Sequence, residues 1–330
     1  MSRLRDRNKP SWIGRLIVAA VVLAVVGWGG WQSVEVVRLV LADSPAVTTA
    51  PVTTAAAAVA VVDVERIDEQ AGEGADAFAM NAPDEEPVKA LTLEEIGALI
   101  ERGQQQLASG EVVAGRDELN KALAATDDEV LATQLRGQLM AINMPVFFGT
   151  DTLPEDPLAK LVPIADGDTY PRIARRQKIG AGLLADLNPT LNPRNLKINT
   201  GVKVIEGPFH ARISRSAQRL DLFAGEMFVC SLPVVMDETF YLPRGVYRVK
   251  PGAKIAVPVN GRLQRWVGFE AFDSKGSGPS TGEVFWLFSA NGTRERSADG
   301  RSAGAKVADA DLLRLYNTLV EGHSLIRVRP

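Results

Sequence analysis

The chain has 330 residues, 46% of them hydrophobic, and a formal net charge of -3, enough for roughly two compact domains with accessory segments. The near-neutral balance gives no support to nucleic-acid binding, which shows a clear basic face. One cysteine excludes an internal disulfide, and two distant histidines with that cysteine fall short of any zinc spacing, so neither a cofactor nor a metal is expected, although carboxylates alone could hold a hard cation.

Residues 1–11 read as a basic cytoplasmic tail, with Arg3, Arg5, Arg7 and Lys9 against Asp6. An apolar run from Leu16 to Trp31 follows. At ~1.5 Å per residue it spans roughly 24 Å, short of the ~30 Å hydrocarbon core. Arg15 can snorkel, and Trp12, Trp28 and Trp31 suit the interface, so residues 12–34 are expected to form a single transmembrane anchor. The positive flank places the rest of the chain on the periplasmic, envelope-facing side of the cell membrane. A cleavable signal peptide is the alternative, with Val40-Leu41-Ala42 as its cleavage site. Glu35 and Arg38 between that site and the apolar run argue against it.

Residues 43–90 are rich in Ala, Thr, Val and Pro and then in acids such as Asp84, Glu85 and Glu86, with no sustained period, and read as a disordered linker. A coil of that length reaches on the order of 35–40 Å. The acids read as a solvated run. Residues 91–145 turn helical. Thr92 and Glu95 form a capping box, and Leu93, Ile96, Leu99, Ile100 and Leu107 recur at helical spacing up to Gly110. A second helix carries Val112, Val113, Leu119, Ala122 and Leu123. A third starts near Thr126 or Asp127, carries Val130, Leu131, Leu135, Leu139 and Ile142, and is expected to stop at Pro145. Ala108, Gly110, Ala114 and Ala122 are small enough to let these helices pack closely. The segment resembles one tetratricopeptide-type helix pair plus an extra helix. It reads as a spacer, an oligomerisation segment or a groove for a protein partner.

Residues 161–206 read as strand, helix, helix, strand. The turn Asp166-Gly167-Asp168-Thr169, the pair Ile173-Ala174, the helix end Asp186-Leu187-Asn188 and Gly201 before the last strand resemble a LysM module. That resemblance implies binding of N-acetylglucosamine-containing glycan such as peptidoglycan. Gly167, Asp168, Thr169 and Tyr170 would lie on one side of the ligand, and Asn192, Leu196 and Ile198 on the other. Arg172, Arg175, Arg176 and Lys178 make the first of these helices basic; they read as a solvated face or as a contact for anionic wall polymer or lipid headgroups.

Residues 208–330 are strand-like. Phe209–Ser214, Arg219–Phe223, Met227–Pro233, Val246–Val249 and Arg265–Phe269 alternate or run apolar between Gly and Pro breaks. Leu242-Pro243-Arg244-Gly245-Val246-Tyr247, Trp266-Val267-Gly268-Phe269 and a closing helix and strand within Asp311–Val328 resemble the L,D-transpeptidase (YkuD-type) domain. That family's chemistry is acyl transfer from a cysteine activated by a histidine, with backbone amides holding the oxyanion. Its His-Gly-Thr element stands here as Asn291-Gly292-Thr293. Its Ser-x-Gly-Cys-x-Arg element stands as Ser302-Ala303-Gly304-Ala305-Lys306-Val307, with alanine at the nucleophile. Gly292, Thr293 and Gly304 are expected in a residual loop. Cys230 reads as a buried structural thiol. For Ser289 or Ser302 to stand in for the family cysteine missing at Ala305, His210 or His323 would have to serve as the base.

The expected whole is a multidomain α+β chain: N-terminal transmembrane helix, disordered linker, TPR-like helical segment, βααβ LysM-like module and mostly β L,D-transpeptidase-like domain. Its expected role is that of a membrane-anchored, peptidoglycan-binding pseudoenzyme acting as scaffold or regulator. An acyl transferase of cell-wall remodelling with an atypical nucleophile is one alternative, and a protein-interaction adaptor working through the helical segment is the other.

Overall fold

Thr92 opens the described chain with both halves of a capping box. Its hydroxyl accepts the Glu95 N–H, and the Glu95 carboxylate takes the Thr92 N–H at 2.7 Å. The computed structural model describes residues 91–236, 240–259, 261–272, 284–289 and 302–330, all within the unit Asp68–Pro330. The anchor at 12–34 and the linker at 43–90 lie outside the described residues. Among the described residues no helix is long and apolar enough to cross a membrane.

Three helices come first: α1 (Leu93–Ser109), α2 (Val112–Ala125) and α3 (Glu129–Phe147). Their contact surface is narrower than the sequence period implies. Ile96, Leu99, Leu119, Ala122, Leu135 and Leu139 are buried, but Leu93 is 80% and Val130 71% exposed, because both lie in first turns that overhang the packed face. The close approach of α1 and α2 is made by Gly103 and Gly115, not by Ala108 or Gly110. A Cβ on Gly115 would meet the Gly103 carbonyl oxygen at 2.7 Å. Gly110 instead caps α1 in a left-handed conformation. Nor does Pro145 end α3. The helix runs on to Phe147, since Val146 and Phe147 are driven into the core and Phe147 packs edge-on against Phe209 at 6.2 Å.

The next segment pairs β1 (Ala159–Pro163) antiparallel with β2 (Gly201–Ile205), Leu161 opposite Lys203. The helices α4 (Tyr170–Arg176) and α5 (Ala181–Leu187) lie between them in sequence. Asn188 ties α5 to β2: its side chain accepts the Lys203 N–H and donates to the Lys203 and Leu184 carbonyls, each at 2.8–2.9 Å.

The remaining strands are β3 (Phe209–Ser214), β4 (Arg219–Ala224), β5 (Met227–Val235), β6 (Phe240–Tyr241), β7 (Gly245–Val259), β8 (Arg262–Ala271), β9 (Val284–Ser289), β10 (Ser302–Val307) and β11 (Leu325–Arg329), with α6 (Asp309–Thr318) before the last. They form one sheet in the order β5-β4-β3-β11-β7-β8-β9-β10-β6. A further pairing of β10 with β5 (Lys306 opposite Val235) closes it into a barrel-like ring. Closure removes the open edges that would otherwise template pairing with other chains.

These parts share their cores. One apolar cluster runs from Val146 and Phe147 through Ile173, Leu184 and Val204 into the barrel at Leu222, Phe269 and Ile326. A second joins Ile96, Leu99, Leu119, Leu135 and Leu139 to Phe223, Phe228 and Leu325. The helices therefore cover the outer face of the β5-β4-β3-β11 wall. Asn120 brackets the β4–β5 turn through Glu226 O and Phe228 N, and Asn143 donates to Phe228 O. Lys203 adds a clamp from the module to the end of α3, its ammonium donating to the carbonyls of Val146, Gly149 and Asp151.

Candidate functional site

The two loops of the strand–helix–helix–strand module are brought together by extension of the β1–β2 ladder. Ile164 N–H donates to Thr200 O and Asn199 N–H to Ile164 O, both at 2.9 Å. This sets the turn at 165–169 beside the loop that holds Ile198. The predicted ligand residues are thus adjacent, but most of their side chains serve the fold. Thr169 caps α4 by accepting the Arg172 N–H, and Gly167 O accepts from the Arg172 guanidinium. The Asp168 carboxylate accepts the Ala165 N–H at 3.0 Å and pairs with Arg176 at 3.2 Å, with its side chain 4% exposed. The Arg176 guanidinium, then the Ala165 N–H, hold that carboxyl below its usual range.

Tyr170, expected beside the ligand, is instead 4% exposed and packs in the module core with Ile173 and Ala174, so its ring presents no open face. Burial also pushes its phenol upward. Leu196 is half-buried against the same core, and Asn192 accepts the Arg194 N–H within its own loop. Ile198 does stand out, at 55% exposed. It is joined by Leu161, 63% exposed, whose side chain lies beside Gly201. The sequence reading passed over Leu161, which an apolar residue on an edge strand of a two-stranded sheet could have signalled. Leu161 also walls a cavity of about 280 Å³ along the outer edge of β1, with Thr152, Pro154, Glu155 and Lys160.

The second candidate lies in the barrel. Asn291, Gly292 and Thr293 lie outside the described residues. Ser302 starts β10, and Gly304 and Ala305 are strand residues in register with Trp286 and Leu287, not parts of a loop. The reason is local. Gly304 has φ +131° and passes so close to the Trp286 backbone that a Cβ would collide with its carbonyl oxygen. Ala305 is fully buried, a methyl group in the barrel core.

The remaining titratable candidates are structural. Cys230 lies opposite Leu222, fully buried, and burial pushes its thiol up to about 12. His210 is fully buried on β3, and its Nδ1 accepts the Leu325 N–H at 3.1 Å; burial lowers it to about 4. His323 lies in the turn before β11, lowered by burial and by Lys178.

Residues 164–204 match the LysM domain family. A comparison with curated proteins found no match. Solved structures similar to part of the chain include a fused Zn-dependent amidase/peptidase/peptidoglycan-binding domain-containing protein from Clostridium acetobutylicum (15% identity, 37% of this chain and 52% of that one, TM-score 0.26). They also include L,D-transpeptidase 1 of Mycobacterium tuberculosis (14%, 40% and 67%, TM-score 0.25) and an L,D-transpeptidase from Mycobacterium smegmatis (10%, 41% and 65%, TM-score 0.26). The match thus spans about half the length of the first and about two thirds of the others.

Proposed function

We propose that the chain is a non-catalytic, envelope-facing protein that holds peptidoglycan through the module at 161–206 and carries the barrel of 208–330 as a scaffold or regulator. Residues 12–34 serve as its membrane anchor in this reading. The observation that carries the glycan assignment is the match of residues 164–204 to the LysM domain family, on a segment with the β1-α4-α5-β2 order and a paired-loop rim. The non-catalytic reading rests on Ala305, the methyl group aligned with the family nucleophile. The one thiol in the sequence, Cys230, is buried and held far from its ionised form.

The test is sedimentation of the full chain with insoluble peptidoglycan sacculi, beside Leu161→Asp and Ile198→Asp. Point variants are needed because the module shares its core with the barrel, and excising it would expose Val146, Phe147 and Phe209. Loss of sedimentation in both variants supports the reading; sedimentation unchanged in both overturns the placement of the glycan on that rim. Intact-mass analysis after exposure to a β-lactam checks the other half, since a covalent adduct would establish a surviving nucleophile.

A further inference from the structure

The outer edge of β1 carries an unused set of backbone groups. In its antiparallel ladder with β2, Leu158 O accepts the Glu206 N–H and Ile164 N–H donates to Thr200 O, so the even-numbered residues turn their peptide groups towards β2. The N–H and C=O of Ala159 and Leu161 therefore point away from it, and no hydrogen bond to them is present among the described residues. Ala159 is 1% exposed, so little water reaches its outward pair.

Ala159, Lys160 and Leu161 form one wall of the cavity of about 280 Å³, and residues 152–156 form the other. That second wall is fixed at both ends. The Lys203 ammonium donates to the carbonyls of Gly149 and Asp151 before it; after it, Asp156 is held by the Arg116 fork and by the Leu158 N–H. Its distance from β1 is thus set by the fold.

Charge and size narrow the ligand. Lys160 is paired with Glu206 at 3.0 Å and Asp156 with Arg116, while the exposed Glu155 forms no ion pair among the described residues, so the open charge of the cavity is negative. The volume falls below the ~300 Å³ at which pockets for free drug-sized ligands begin, and suits one branch of a ligand anchored elsewhere. Pro163 has no N–H, so a chain laid along this edge loses its partner beyond Leu161. About three extended residues at ~3.3 Å each then fill the edge, fewer than a protein strand of ~5 residues. The anchor lies beside it: Leu161, which walls the cavity, also stands with Ile198 on the rim assigned to the glycan.

We propose that this cavity binds the peptide branch carried by peptidoglycan: about three extended residues whose amides pair with Ala159 and Leu161 and whose side-chain ammonium meets Glu155. The inference rests on the glycan reading above, because the sugar on the rim supplies the anchor.

The test is calorimetry and deuterium exchange of the full chain with four probes. These are N-acetylglucosamine–N-acetylmuramic acid oligomers stripped of peptide, the same oligomers carrying it, the carrying oligomers acetylated on the free amine, and the peptide alone. Peptide-bearing oligomers should bind about tenfold tighter than stripped ones, the worth of one charge-assisted bond, and should slow exchange across residues 158–162. Acetylation and Glu155→Gln should each remove that gain and leave the affinity for stripped oligomers unchanged; Glu155 is exposed and unpaired, so the variant should melt with the parent. Equal affinity for stripped and peptide-bearing oligomers, or a gain that survives both acetylation and Glu155→Gln, overturns the cavity site and leaves the glycan rim standing. Stripped oligomers that fail to bind, while the peptide alone still slows exchange at 158–162 in the parent and not in Glu155→Gln, would overturn the rim and support the cavity.

Discussion

Arg116 of α2 and Asp156, in the segment leading to β1, face each other at 2.6 Å with both side chains fully withdrawn from water. The second guanidinium nitrogen reaches the other carboxylate oxygen at 3.1 Å, so the pair is bidentate, and Asp156 also accepts the Leu158 N–H. This contact joins the helical layer to the start of the module. Removing Asp156 leaves the buried guanidinium only the half-exposed Asp117 carboxylate, at 3.4 Å.

Asp156→Ala should therefore cost about 3–5 kcal/mol. The double replacement Arg116→Met with Asp156→Leu should cost clearly less, since no charge remains to be desolvated. Urea denaturation of the parent and both variants decides it; equal losses would show that the pair acts through packing alone.

His210 sets an acid limit. Its folded value, lowered to about 4, lies below the usual 6.5, so between those values the unfolded chain binds more protons than the folded one. Stability on this account is whole above pH 6.5 and falls as pH drops towards 4, by about 3 kcal/mol in total. His210→Asn keeps an acceptor for the Leu325 N–H but does not titrate there, and should flatten the decline. Stability curves from pH 7 to pH 4 read the difference.

Cys230 should resist alkylation. With its thiol near 12 rather than the usual 9, the thiolate fraction at pH 8 falls about a thousandfold, before any loss of access is counted. Iodoacetamide labelling followed by mass should be slow in buffer and fast in urea. Rapid labelling of the folded protein would require an open, electropositive site around this sulfur.

Gly304→Ala should lose on the order of 3 kcal/mol or more, because the methyl group collides with the Trp286 carbonyl in a backbone conformation that disfavours side chains. Gly137, exposed on α3 with open space around its Cβ position, is the control. Gly137→Ala should gain about 0.5–1 kcal/mol, and thermal melts of the two variants should move in opposite directions.

The parts legible in the sequence are those governed by neighbours along the chain. The Thr92–Glu95 box, the strand Phe209–Ser214 and the order of the module all follow from local spacing and match the structure. What the sequence misreads depends on tertiary contact. The helix-breaking tendency of Pro145 yields to burial of Val146 and Phe147. The small-residue run Ala303-Gly304-Ala305 has little strand propensity and is a strand because Tyr241, Trp286 and Leu287 pair with it. Tyr170 follows a ligand-loop motif yet is buried, because the first turn of α4 faces the module core. Arg212 and Arg327 are distant in sequence, and only the parallel pairing of β3 with β11 places them opposite each other.

That same pairing orders events in time. The His210 ring accepts the N–H of Leu325, 115 residues further on. As the chain folds, β4 and β5 can zip onto β3 early, but the other flank of β3 stays bare until β11 arrives. Contacts this distant are slow to form and leave strand edges open meanwhile. The β11-facing edge of Phe209–Ser214 is thus the one that stays open to stray pairing until the last strand docks.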